Sequence, residues 1–197
     1  MEIDILRAQW EIAPSGEPAI ALVEFNSIAA GILAGDAMVK KAPITLLEAR
    51  TICPGKYMVL IGGLTGPVEE SLAAGIAAGG DAVLDHLFLP NVHLAVFPAI
   101  ARAVEVPDIE ALGIIETITL AATIIAGDAA AKAADVRLLE MRLANGLGGK
   151  SFVLISGDVP NVEAAVEAGV NLVKQEGLLV RSVIIPQLHP DMRAKIA

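Results

Sequence analysis

Along the chain, short unbroken apolar runs alternate with longer stretches in which Gly and Ala separate the larger apolar side chains. The first run, Ala19–Phe25, is interrupted only by Glu24 and has the length of a buried strand. Ser27 stands where it can cap a following helix that runs to about Ala42. On that helix Ile28, Ile32, Met38 and Val39 are expected to form the apolar face, leaving Asp36 and Lys40 as an i,i+4 ion pair on the other side. Two strands, Ile44–Ile52 and Lys56–Gly62, then meet at the turn Cys53-Pro54-Gly55. Gly66-Pro67 opens a second helix, with Pro67 in its first turn and Glu69 and Glu70 near its positive end. Strand Ala82–Leu89 closes the unit before Pro90. The order βαββαβ predicts an α/β (α+β) unit of the ferredoxin-like kind.

The chain contains this unit twice. When Glu24 is laid on Glu116, Ala34-Gly35-Asp36-Ala37 falls on Ala126-Gly127-Asp128-Ala129 and Lys40 on Lys132. Leu46-Leu47-Glu48 then falls on Leu138-Leu139-Glu140, and Arg50 on Arg142. Cys53-Pro54-Gly55 faces a longer loop, Asn145-Gly146-Leu147-Gly148-Gly149, before Lys56 and Lys150 restore the match. Further on, Gly75 meets Gly169, and Pro90-x-x-His93 meets Pro186-x-x-His189. A shared order over so many positions is a tandem duplication. It divides the chain into an extension, 1–18, and two domains, 19–105 and 106–197, with Pro98–Glu110 holding the connection. Trp10 is expected to tack the extension onto a neighbouring surface.

Composition changes the picture in one respect. Hydrophobic residues make up 55% of the chain and charged residues only 19%, with a mean hydropathy of +0.65. No run reaches the roughly 18–20 uninterrupted apolar residues that a membrane-spanning helix needs. Two small domains cannot hide that much apolar surface internally. The surplus is expected at subunit interfaces, so the chain reads as an oligomer. A net charge of −9 repels a phosphate backbone and argues against nucleic acid as partner. One cysteine excludes an intrachain disulfide and fits a reducing cytoplasm. The start, Met-Glu-Ile-Asp-Ile-Leu-Arg, lacks the pattern of a secretory signal.

Enzyme chemistry finds little support. Glu24 with Glu116, and Asp36 with Asp128, could be paired carboxylates for acid–base work, but a feature kept in both copies serves the shared scaffold. Gly62-Gly63-Leu64-Thr65-Gly66 lacks the Gly-Lys-Ser/Thr ending of a phosphate loop. No Ser/His/Asp ordering or His-Glu-x-x-His helix is present. His86 occurs in one copy only and takes no role.

The repeat resembles the bacterial microcompartment shell domain. The resemblance rests on Gly35–Lys40 and Gly127–Lys132, on the glycine-containing turn between the middle strands, and on the two Pro-x-x-His segments. It covers nearly all of Ala19–Ile196, and two domains in one chain resemble the tandem class. The resemblance implies a homotrimer shaped as a pseudohexamer that tiles a shell around enzymes in the cytoplasm, in contact with other shell proteins. It places Lys40, Lys132, Asn91, His93, Gln187 and His189 at the tile edge. The family often has Arg after the Pro, and Asn91 and Gln187 stand there instead. That departure implies weaker or differently keyed lateral contact.

In this family the turn between the middle strands lines a central pore, which here means Cys53, Pro54 and Gly55 with Asn145, Gly146, Leu147 and Gly148. Cys53 can be read as a free thiol in an exposed turn. On a threefold axis, three Cys53 thiolates would suit a 4Fe–4S cluster, with a ligand other than cysteine on the fourth iron. The segment Thr51–Lys56 is similar to that of tandem-class members associated with such a cluster. Two functions stay open at this point: a tile whose pore cluster passes electrons to an enclosed redox enzyme, and a tile whose pore gates metabolites. A trimeric small-molecule-binding regulator is a third.

Overall fold

A computed structural model describes residues 18–102, 104 and 109–196. Trp10 and the rest of the extension before Pro18 lie outside the described residues. The chain divides into two compact units, one running through Val92 and including Ala144–Gly149, the other made of His93–Leu143 and Lys150–Ala197.

The first unit follows the order read from the apolar pattern: β1 (Pro18–Phe25), α1 (Ile28–Lys41), β2 (Thr45–Ile52), β3 (Lys56–Leu64), α2 (Thr65–Gly79) and β4 (Val83–Leu89). The sheet runs β2-β3-β1-β4 with every neighbouring pair antiparallel. The most apolar strand is therefore central, and Leu22 stands opposite Leu60 on one side and Leu87 on the other. Ala19, Ala21, Val23 and Phe25 point to the helices and pack with Ala34, Met38, Val59, Ile61, Val68 and Leu72. Ser27 caps α1, its Oγ accepting the N–H of Ala30 at 3.3 Å.

Two expectations need correction. The buried face of α1 is Gly31, Ala34, Gly35 and Met38, whereas Ile28, Ile32 and Val39 are exposed. The cause is the closeness of helix to sheet: a Cβ on Gly31 would stand 2.6 Å from the Tyr57 ring, so only the small-residue face fits inward. Helix α2 begins at Thr65, which leaves Glu69 and Glu70 beyond its first turn and away from the positive end. Glu70 instead reaches Lys41 at 3.7 Å.

The second unit contains α3 (Val96–Ile100), β5 (Ala111–Thr117), α4 (Leu120–Ala133), β6 (Arg137–Leu143), β7 (Ser151–Gly157), α5 (Val159–Lys174), β8 (Leu179–Ile185) and α6 (Pro190–Ile196). Its sheet order, β6-β7-β5-β8, repeats the first. Even the irregularities repeat, with a register shift between Glu24 and Phe25 matched between Glu116 and Thr117, and one between Leu46 and Glu48 matched between Leu138 and Glu140. Helices α3 and α6 were not foreseen; α3 overlaps the start of the expected connection, of which 103 and 105–108 lie outside the described residues. Among the described residues no helix is long and apolar enough to cross a membrane.

Candidate functional site

The β2–β3 hairpin holds the chain's one thiol at its tip. Cys53, Pro54 and Gly55 are all exposed, and Gly55 takes φ +73°, a conformation that glycine adopts without strain. The Cys53 N–H donates to the carbonyl of Ala144 at 3.4 Å. Gly149, at φ +93°, passes so close that a Cβ there would stand 3.3 Å from both the Cys53 carbonyl and Pro54 Cδ. The loop Ala144–Gly149 therefore lies against the cysteine turn and belongs to the same compact unit. Asn145, Gly146 and Gly148 are exposed and Leu147 is half-buried. Among the described residues no cluster of three or more His, Cys, Asp or Glu side chains is arranged to hold a metal within one chain. Cys53 can contribute one soft thiolate per chain, so an iron–sulfur group there needs thiols from several copies.

The two Gly-Asp-Ala helices differ in surroundings. On α1, Lys40 and Asp36 pair at 2.6 Å in the open. On α4, Lys132 and Asp128 pair at 2.7 Å, but the Asp128 carboxylate is almost fully covered. Its other oxygen accepts the N–H of His93 at 2.7 Å, the bond that brings α3 onto α4. Asn91, Gln187 and His189 are exposed and His93 is half-buried. Asp36 and Asp128 thus serve as hydrogen-bonding groups of the helix surface.

Sequence reasoning placed a second set of charges in both copies but missed that they pair. Glu24 is fully buried on β1 and lies 3.7 Å from Lys56, and Glu116 and Lys150 pair at the matching place in the second unit. Glu48–Arg50 at 2.6 Å and Glu140–Arg142 at 2.9 Å repeat as well, with the Arg142 guanidinium 5.3 Å from the Phe152 ring centroid. The signal was present, since all eight charged residues keep their places in both copies. These are neutralising pairs across and along the sheet, and they account for duplicated carboxylates without acid–base chemistry.

The BMC domain model matches residues 19–92 and 111–188. The chain belongs to the BMC-domain family of bacterial microcompartment shell proteins. It is 43% identical over 174 residues to the bacterial microcompartment shell protein PduT of Citrobacter freundii, an alignment covering 88% of this chain and 95% of that protein. The shell protein EutM of Salmonella typhimurium is 41% identical over 83 residues, 42% of this chain and 84% of EutM. Among solved structures, a microcompartment protein from Desulfitobacterium hafniense superposes with a TM-score of 0.86 at 49% identity, covering 91% of this chain and 99% of that one. The two matched segments coincide with the two βαββαβ sheets, so the duplicated scaffold is a pair of BMC domains.

Proposed function

We propose that this chain is a facet tile of a microcompartment shell, assembled as a homotrimer of pseudohexagonal outline, with the Cys53 turns gathered at its central pore. The observation that carries the reading is the extent of the PduT match, which runs through both domains and leaves little of either chain outside it. The exposed Ile28, Ile32, Leu33 and Val39 of α1 supply apolar surface for contact with other copies. Lys40, Lys132, Asn91, Gln187 and His189 are exposed and, with the half-buried His93, are available for edge-to-edge contact with other shell proteins. A tile of this kind works in the bacterial cytoplasm as part of a shell.

At the pore, Cys53 is the residue that would hold a 4Fe–4S cluster, one thiolate from each of three chains. When bound, such a cluster supplies one-electron transfer across the shell, toward an enclosed redox enzyme. The chain's own contribution is positional. Gly55 turns the hairpin at positive φ, and the bond to Ala144 and the close approach of Gly149 brace its tip, leaving the thiol exposed. The fit is one of donor chemistry, a soft and accessible sulfur, present in the first copy and absent from the second.

The test is anaerobic reconstitution followed by iron and acid-labile sulfide analysis on wild type and Cys53→Ser. One cluster per trimer is expected in wild type, and a colourless trimer of unchanged mass in Cys53→Ser. Iron retained by Cys53→Ser overturns the site. A wild-type trimer that binds no iron leaves the tile with a pore that gates metabolites.

A further inference from the structure

We propose that Asn145-Gly146, in the loop that lies against the cysteine turn, is a self-modification site. Its side-chain amide is converted to a carboxylate by the neighbouring backbone and water, so an uncharged loop acquires a negative charge beside Cys53.

The chain has five asparagines, and Asn145 alone is followed by glycine. Attack on an asparagine side chain comes from the backbone nitrogen of the next residue, so that nitrogen must be free and uncrowded. Three of the other four sites fail this. The Val92 N–H after Asn91 donates to the Pro18 carbonyl at 2.9 Å, and the Val162 N–H after Asn161 to the Asp158 carbonyl at 3.0 Å. Asn171 lies inside α5, where the N–H of Leu172 belongs to the helix ladder. Asn26 precedes Ser27, whose carbonyl and Oγ are both tied into the start of α1. Asn145 and Gly146 are both exposed, and among the described residues no hydrogen bond or ion pair engages either. Gly146 stands at φ +74° with open space where a Cβ would be. Gly148 and Gly149 also take positive φ, so three glycines let this loop change path at little cost.

The step needs only water. The Gly146 nitrogen attacks Cγ of Asn145 and gives up its proton, the bond from Cγ to the amide nitrogen breaks, and ammonia leaves a cyclic succinimide. Water then opens one of the two ring carbonyls, giving aspartate or an isoaspartate whose backbone runs through Cγ. No atom is oxidised or reduced. The product is charged where Leu143–Gly149 carries no charge. Its place relative to the thiol is fixed by the preceding residue, since buried Ala144 accepts the Cys53 N–H at 3.4 Å through the very carbonyl that joins it to Asn145. A charge-changing modification acts through its neighbours, and here the neighbour is the exposed thiol. In the trimer proposed above, three such carboxylates would ring the pore and disfavour anionic solutes there; that consequence rests on the trimer reading.

The test incubates the folded chain in warm, mildly alkaline buffer and maps its peptides. Trypsin releases Leu143–Lys150, in which Asn145 is the one side-chain amide. This peptide should show the exchange of NH2 for OH as two isomers, one of them a substrate for isoaspartate methyltransferase, while the peptides holding the other asparagines stay unchanged. A folded chain that keeps Asn145 intact over the time in which the free synthetic peptide Leu143–Lys150 converts overturns the site. The charge is read at Cys53 by comparing alkylation with iodoacetate and with iodoacetamide. Both reagents attack the same thiolate, so the ratio of their rates cancels the thiol's ionisation and reports the local charge. In Asn145→Asp, and in the aged wild type, that ratio should fall about twofold and recover in high salt. Aged Asn145→Gln, which resists the ring closure, should keep the starting ratio. An unchanged ratio in Asn145→Asp overturns the placement beside Cys53. Both readings hold for a single chain and need no iron. Light scattering decides the ring separately: a monomer removes the ring of three with the trimer reading, and the site is still decided by the peptide map.

Discussion

Asp128 and Asp36 occupy the same place in the two repeats, and their substitution by alanine should differ in its cost to folding. Asp128→Ala removes the charged acceptor of the His93 N–H, a bond of 2.7 Å, in a covered position. A hydrogen bond to a charged group contributes about 1.5–3 kcal/mol. It also frees Lys132 from an i,i+4 pair worth about 0.3–0.5 kcal/mol. Asp36→Ala in the dissociated chain loses only a solvent-exposed pair of that second kind. The difference is about 2 kcal/mol, which for a chain of this size corresponds to roughly 4–8 °C in Tm. The assay is thermal unfolding by circular dichroism of both variants at a dilution where the chain is dissociated. Asp128→Ala should unfold several degrees below Asp36→Ala. Equal Tm shifts in the dissociated chain would refute the reasoning.

Other consequences follow from the same packing. In Gly169→Ala the new Cβ would stand 2.6 Å from the Ala126 carbonyl oxygen, an atom that no rotamer change can move. Overpacking of about 1–3 kcal/mol should outweigh the helix-propensity gain of about 1 kcal/mol, giving a measurably lower Tm. The equivalent Gly75→Ala meets the flexible Met38 side chain at 2.5 Å, so its loss in the same thermal melt should be smaller. Replacing Lys40 and Lys132 together by Ala should leave the trimer's mass unchanged in light scattering and abolish sheets in electron micrographs; a double variant that fails to trimerise would place these lysines at the wrong interface.

The order of elements along the chain and the helix start at Ser27 were legible because β1 and β3 are short apolar runs bounded by turn residues, and because each reading could be checked against its duplicate. The face of α1 was not. Hydrophobic periodicity picks out the bulky residues, yet here the sheet lies so near that Gly31, Ala34 and Gly35 form the inward side and Ile28 and Ile32 the outward one. A helix whose small residues share one face is packed closely on that face, and its large apolar residues then mark a surface left for another chain. Helices α3 and α6 escaped notice because five to seven residues give too few turns for a period to register. The Glu24–Lys56 and Glu116–Lys150 pairs escaped because their partners lie on neighbouring strands, where register and not spacing brings them together. Cys53 stood out for the opposite reason, as a break in the duplication at the tip of a hairpin.

Native mass spectrometry of protein prepared and reconstituted without oxygen tests the central claim most directly, since one spectrum counts both chains and metal. Three chains carrying one 4Fe–4S cluster are expected, with the cluster mass lost and three chains retained in Cys53→Ser. A species of any chain number other than three, or a trimer that carries its iron equally well without Cys53, would contradict the account.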